Sequence, residues 1–140
     1  MNELLQQIKQ KALDRHIPIL MDDTLDVIID ILKKEKPKRL LEIGTAVGYS
    51  AICFALNMEK EGRIDTIELD EDRVREAKEN INNMELEDRI NIIQGNAVEI
   101  LPTIEKEYDI VFIDAAKGKY PIFLKEAIRL LKKRRINFGR

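Results

Sequence analysis

Apolar positions recur at helical spacing in two stretches near the N-terminus, Leu4, Leu5, Ile8 and Ala12, then Leu25, Ile28, Ile29 and Leu32. Each stretch is expected to form a helix with one apolar face. The second follows H-I-P-I-L-M, takes Asp22 or Asp23 as its N-cap, and ends at Pro37, where the helix ladder loses a donor. From Leu40 the period changes. Leu40 to Ile43 reads as a short buried strand, Ser50 to Met58 as a helix, Ile64 to Leu69 as a second strand, and Asp70 as the cap of a helix whose Val74, Ala77 and Ile81 share a face. R-I-N-I-I-Q-G makes a third strand. A short helix is expected over Ala97 to Ile104, with Pro102 badly placed inside it. In Y-D-I-V-F-I-D the unbroken run Ile110, Val111, Phe112 and Ile113 suits a central parallel strand covered on both faces. Tyr120, Phe123, Leu124, Ala127, Ile128 and Leu131 mark a last helix. Strand and helix alternate, so the expected architecture is α/β, a doubly wound and mostly parallel sheet.

The first strand runs into L-L-E-I-G-T-A-V-G-Y-S-A, from Leu40 to Ala51. Gly44 and Gly48 allow a tight turn and close approach of backbone to a ligand, and Glu42 places a carboxylate just before the turn. Phosphate loops offer helix N-terminal amides, often with a lysine. Here no Lys or Arg occurs between Gly44 and Met58, and the middle glycine of the dinucleotide fingerprint G-x-G-x-x-G is absent. A cofactor with positive charge and no phosphate fits better, and S-adenosylmethionine is one. A second acid supports this reading. R-I-D-T-I-E-L-D ends a strand with Glu68, 24 residues after Gly44, close to the spacing of about 20 at which an acidic residue accepts the ribose hydroxyls in nucleotide folds.

E-I-G-T-A-V-G-Y-S, T-I-E-L-D, I-I-Q-G-N-A and F-I-D-A-A-K-G-K-Y, in this order and spacing, resemble the cation-dependent O-methyltransferases that include the caffeoyl-CoA and catechol enzymes. D-A-A-K-G-K-Y is most similar to the bacterial branch that methylates 5-hydroxyuridine in the tRNA anticodon loop. The resemblance covers Ile19 to Leu131. It implies a Rossmann-like class I methyltransferase fold, with S-adenosylmethionine as methyl donor, a divalent cation (Mg²⁺) and a hydroxyl acceptor, tRNA among the candidates. It assigns Glu42, Gly44, Thr45, Gly48 and Ser50 to the cofactor's methionine end, Glu68 to its ribose, and Asn96 and Ala97 to the adenine side. Met21 falls near cofactor and acceptor. Asp114, at the carboxyl end of the fourth strand, is implied to touch the cofactor, to hold the metal and to serve catalysis. Lys117 could steer an RNA phosphate or the acceptor, or be a solvated loop charge.

Composition narrows the setting. At 140 residues, 44% hydrophobic and 36% charged, the chain suits a single folded domain, with residues 1–36 as N-terminal helices and 37–140 as a Rossmann-like core. With 24 Lys and Arg against 26 Asp and Glu, the formal charge is -2, so RNA would need a local basic patch rather than a global field. K-K-R-R at Lys132 to Arg135 offers such a patch, or caps the preceding helix's negative end. No apolar run approaches a membrane span and the N-terminus lacks a signal-peptide core, so a cytoplasmic location is expected. Cys53, the only cysteine, excludes an internal disulfide and reads as a core residue. His16, before Ile17 and Pro18, is not placed as a catalytic histidine.

Relatives of this kind continue after the last helix with a P-G-G turn, a fifth strand ending in Asp-Asn, and two further strands in the order 3-2-1-4-5-7-6. Here the text becomes L-L-K-K-R-R-I-N-F-G-R. The chain is therefore expected to lack the C-terminal strands, through a frame change, an early stop or a cloning boundary. With the partners of Asp114 gone, little methyl transfer is expected. A sheet of order 3-2-1-4 would expose the fourth strand as an edge. The expected cover is either self-association as a homodimer through Tyr108 to Ile113, or Ile136 to Phe138 laid beside it. Rival readings are a cofactor-binding module or inactive remnant, a small-molecule catechol-type enzyme, and a nucleotide oxidoreductase.

Overall fold

The computed structural model describes residues 2–113 and 120–139. In chain order the elements are α1 (Glu3–Asp14), α2 (Asp22–Glu35), β1 (Arg39–Ile43), α3 (Tyr49–Leu56), β2 (Arg63–Glu68), α4 (Glu71–Asn83), β3 (Ile90–Gln94), α5 (Ala97–Ile100), a 3-10 turn (Leu101–Thr103), β4 (Tyr108–Ile113), α6 (Tyr120–Leu130) and β5 (Leu131–Gly139).

Side-chain caps start several of the helices. Asn2 accepts the Leu4 amide at 2.7 Å, and Asp70 accepts the Asp72 amide at 2.8 Å, each satisfying a donor that a helix start leaves without an intrahelical partner. The N-cap expected for α2 is corrected. Met21 holds that position without a side-chain bond, while Asp22 and Asp23 lie in the first turn, where their charge complements the helix dipole. Lys36 closes α2 in the left-handed conformation, at φ 49°, directly before Pro37. The single helix expected over Ala97 to Ile104 is also corrected: it is four α-helical residues followed by the 3-10 turn that carries Pro102. A proline lacks the amide that would continue the α ladder.

The sheet is entirely parallel, in the order β3-β2-β1-β4-β5. The four-stranded order is thus corrected by one strand. Ile136, Asn137 and Phe138 pair with Ile110, Val111 and Phe112, so the second of the two expected covers for β4 is the one observed. Between the pairs Tyr108↔Leu131 and Ile110↔Ile136 the register shifts. The K-K-R-R run lies in this irregular part of β5, which follows directly on α6 where that helix ends at Leu130.

Strand alternation sorts the core into two faces. Leu40, Ile64, Ile90, Ile110 and Phe112 pack with the apolar faces of α1, α2 and α3, and the rings of Phe54 and Phe112 meet edge to face at 5.6 Å. Leu41, Ile43, Ile67, Val111 and Ile113 pack with α5 and α6. All six residues of β4 are buried, as a strand between helical layers requires. In α6 the inward residues are Phe123, Ala127 and Leu130, whereas Ile128, expected on that face, is 64% exposed. One residue along a helix turns the side chain by about 100°, which carries Ile128 off the face that Ala127 presents.

Candidate functional site

The carboxyl ends of β1 and β2 converge on the loop from Gly44 to Gly48. This loop bends back on β2: the Gly44 and Thr45 amides donate to the Ile67 carbonyl at 2.8 and 3.2 Å. Gly48 sits at φ 90°, and a Cβ there would lie 3.4 Å from that of Ala77, so both backbone sign and helix packing favour glycine. Ala46 takes φ 48° without being glycine, a conformation that costs an L-residue energy unless its surroundings hold it. They do so through Asn80, which donates to the Val47 carbonyl at 2.8 Å, and through Glu68, which takes the Ala46 amide at 2.8 Å.

Glu42 is fully buried beneath this loop, in register with Thr66 of the neighbouring strand. Thr66 donates to its Oε1 at 2.7 Å, Ser50 donates to its Oε2, and the Thr45 and Thr66 hydroxyls are 2.6 Å apart. A carboxylate taken out of water needs such donors.

Glu68 is half-buried at the tip of β2. Its Oε1 accepts the Ala46 amide and its Oε2 the Asp70 amide, at 2.8 and 3.0 Å. Each carboxylate oxygen has two lone-pair sites, so the group is held in place and still able to accept from a ligand. Asn96 and Ala97 follow at the next strand end. The Gly95 amide donates to the Glu68 carbonyl at 2.8 Å, and Asn96 caps α5 by accepting the Val98 amide at 2.9 Å.

The structure therefore brings Glu42, Gly44, Thr45, Gly48, Ser50, Glu68, Asn96 and Ala97 to one edge of the sheet. Pro18, Ile19 and Leu20, from the segment joining α1 to α2, form the opposite wall of a narrow cleft with Gly44, Thr45, Ala46, Tyr49 and Ser50. Met21, the next residue, is 73% exposed and heads α2. Asp114 and Lys117 lie outside the described residues. His16 is exposed and in the left-handed region, at φ 57°, just past α1.

Beside the cleft, Tyr49 and Cys53 are buried in α3. Burial pushes the Cys53 thiol up to about 11 and raises the Tyr49 phenol as well, so neither is a nucleophile or base near neutral pH.

Thr66, Ala46 and Asn80 were not singled out from the sequence. Thr66 carried a signal: two residues before Glu68 on a strand, it must share that acid's face of the sheet.

The sequence profile of the O-methyltransferase family matches residues 1–138. The chain belongs to that family. A catechol O-methyltransferase of Niastella koreensis is 38% identical over 97 residues, an overlap that takes in 66% of this chain and 44% of that protein. The catechol O-methyltransferase of Sus scrofa is 32% identical over 114 residues, covering 76% of this chain and 61% of that enzyme. Among solved structures, an O-methyltransferase from Bacillus cereus in complex with SAH superposes with a TM-score of 0.90 at 27% identity, covering 99% of this chain and 66% of that one. This O-methyltransferase-family chain thus spans between about half and two thirds of the length of those relatives.

Proposed function

We propose that this chain is the cofactor-binding portion of an S-adenosylmethionine-dependent O-methyltransferase whose acceptor is a hydroxyl on a small catechol-type molecule. The observation that carries the reading is the pair of held carboxylates, Glu42 below the glycine loop and Glu68 at the next strand end, around a loop without a cationic side chain. Such a site suits a ligand with a ribose, an ammonium and no phosphate. The SAH complex of the B. cereus relative and the two catechol enzymes support it.

S-adenosylmethionine supplies an electrophilic methyl on sulfur, and transfer to an oxygen is a single in-line displacement. In this reading Glu68 takes the ribose hydroxyls, while the glycine loop lets backbone approach the methionine end. Glu42, Thr45 and Ser50 fix that end, with Asn96 and Ala97 beside the adenine and Met21 at the rim. Positioning of this kind lowers a barrier by making the encounter effectively unimolecular.

A divalent cation is part of the family's chemistry by resemblance. Among the described residues no three His, Cys, Asp or Glu side chains gather where a metal ion could be held. Asp114 is the residue of this chain we assign to a cation and to catalysis. The D-A-A-K-G-K-Y motif supports 5-hydroxyuridine in tRNA as a second acceptor, whereas the catechol relatives favour the small molecule. A cytoplasmic location and a homodimer complete the proposal; no described helix is long and apolar enough to cross a membrane.

Calorimetry with S-adenosylmethionine, S-adenosylhomocysteine and NAD tests the cofactor, and methyl transfer to catechol or to hydroxyuridine RNA, with and without magnesium, tests the acceptor. Binding of NAD in preference to S-adenosylhomocysteine would overturn the reading.

A further inference from the structure

The K-K-R-R run has no part in the proposed methyl transfer, and the sheet register shows where it lies. On β4 only Asp109 separates Tyr108 from Ile110, whereas on β5 four residues, 132–135, separate their partners Leu131 and Ile136. A regular ladder holds one residue there, so the chain must bulge. Four contiguous cations thus form a bulge in the edge strand, at the level of Asp109.

The neighbouring strands carry cations at the same level. Asp109 Oδ2 accepts the amides of Lys38 and Arg39 at 2.7 and 3.1 Å, which brings the start of β1 beside it. Lys36, Lys38, Arg39 and Lys106 line the hollow at this end of the sheet, and all four are exposed. Lys106 meets the Asp65 carboxylate at 3.4 Å, whereas the other three form no salt bridge among the described residues. Around the hollow itself Glu105, Glu107 and Asp109 nearly offset these cations. The bulge adds four more and no acid. It stands two strands from Arg39, about 10 Å at ordinary strand spacing, close to the Debye length of about 8 Å in physiological salt. Bulge and hollow therefore present one local positive field in a chain whose formal charge is -2.

The chemistry of this surface selects among the macromolecules that a positive field attracts. Insertion into a membrane and the hot spots of a protein partner both call for apolar or aromatic anchors, and none of the large apolar side chains exposed among the described residues lines the hollow. A polar, wet and positive surface suits the phosphate backbone of a nucleic acid. We propose that Lys36, Lys38, Arg39 and the bulge of residues 132–135 form a docking surface for RNA, which they hold by its phosphates. The surface lies at the opposite end of β1 from the glycine loop, about 15 Å of strand away. It is thus distinct from the cleft and does not rest on the S-adenosylmethionine reading. Phosphate contacts carry no base identity, so binding here is indifferent to sequence.

The test is a titration of a fluorescein-labelled uridine 12-mer with the full chain at several potassium chloride concentrations, read by anisotropy. The wild-type chain is expected to bind with a Kd between about 1 and 100 µM at physiological salt, and an adenosine 12-mer within about threefold of that. Lys36→Gln, Lys38→Gln and Arg39→Gln together are expected to weaken binding about tenfold. They should also flatten the slope of log Kd against log salt by about 2, since each phosphate contact on a single strand contributes about 0.7. Glutamine keeps the backbone amides that Asp109 accepts, so the denaturant midpoint is expected to hold. Glutamine at all four of residues 132–135 should flatten the slope by about 3; if that variant fails to fold, the first one decides. Lys11→Gln, Lys78→Gln and Lys125→Gln, at exposed positions of α1, α4 and α6, remove the same charge elsewhere and are expected to leave the affinity within about twofold. Equal weakening by the two triple variants, an unchanged salt slope, or a wild-type chain that binds neither oligonucleotide would overturn the proposal. Tighter binding to phosphatidylserine vesicles than to either oligonucleotide would assign the surface to a membrane and overturn it as well.

Discussion

Two aspartate or glutamate side chains are buried among the described residues, at opposite ends of the sheet, Glu42 at 0% exposure and Asp109 at 2%. They solve the same electrostatic problem differently. Asp109, near the start of β4, accepts the backbone amides of Lys38 and Arg39 at 2.7 and 3.1 Å, where β1 begins. Those donors are chain, and moving them means moving a strand. Glu42 at the other end is met by side-chain hydroxyls that can rotate, and it lies beneath a loop of glycines. The surroundings differ too. Asp109 opens toward a hollow shared by Lys36, Lys38, Arg39, Glu105, Lys106 and Glu107, where charges of both signs offset one another, whereas among the described residues no Lys or Arg lines the cleft over Glu42. Burial alone therefore does not distinguish the two acids; the kind of donor and the opening above each do.

Asp109→Ala should produce the largest effect, because it strands two backbone donors at a strand junction. A loss of about 3 kcal/mol in denaturant unfolding is expected, with Asp109→Asn losing less. A value near zero would break the claim that this carboxylate staples β1 to β4.

At the opposite end the expected loss is of binding. Glu68→Ala should cost about 1.5–3 kcal/mol in affinity for S-adenosylhomocysteine, as for a bond to a charged acceptor, while Glu79→Ala on the exposed face of α4 should leave it unchanged. Equal affinities in the two variants would remove Glu68 from the ribose site.

Between the two ends, the buried Cys53 thiol connects stability to pH. Its folded value lies above the ordinary one, from 9.0 to about 11, so its stabilising contribution is intact below pH 9 and is lost as pH rises through 11. The expected loss at pH 10 is about 1 kcal/mol. Tyr49 and Tyr108 are raised by burial as well and add their own alkaline loss. The comparison of wild type with Cys53→Ala by urea unfolding at pH 8 and pH 10 isolates the thiol, and parallel curves would show that it does not contribute.

Glu42→Gln should have the smallest effect on stability, below about 1 kcal/mol, since its hydroxyl partners can turn to suit an amide. Its effect on cofactor affinity should exceed that on stability. If this variant unfolds as readily as Asp109→Ala, the two acids are of one kind after all.

The sheet and its helices were legible because period 2 and period 3.6 alternate cleanly from Leu40 onward, and because caps such as Asp70 are local. The glycine loop with its two acids was legible for a similar reason, as short motifs carry their own geometry. What escaped is of two kinds, near-ties between local preferences and contacts between residues far apart in the chain. Met21 as the N-cap of α2 and the 3-10 turn at Pro102 differ from expectation by a residue or a turn, where competing local preferences are nearly balanced. Ile128 fits the three-and-four spacing that marks the last helix, yet at 64% exposure it lies off the buried face. The pairing of Ile136 to Phe138 with β4 was one of two expected covers for that edge, and only the choice between them was left to the structure. Asp109 in Y-D-I-V-F-I-D gave no sign of its partners, since those amides lie 71 and 70 residues earlier.

That separation has a kinetic side. Glu42 meets Thr66 across 24 residues of chain, whereas the Lys38 amide meets Asp109 across 71. Closing the longer loop costs about 1 kcal/mol more in chain entropy, as the logarithm of loop length requires. The β1-α3-β2 unit is thus the cheaper one to close, and it already contains Glu42, Thr45, Ser50, Thr66 and Glu68. Early in folding, the acids and hydroxyls of the cleft are expected to find one another before β4 docks. The nascent unit would then offer a ligand a foothold on a sheet still under construction, and a cofactor added during refolding should speed the approach to the native state.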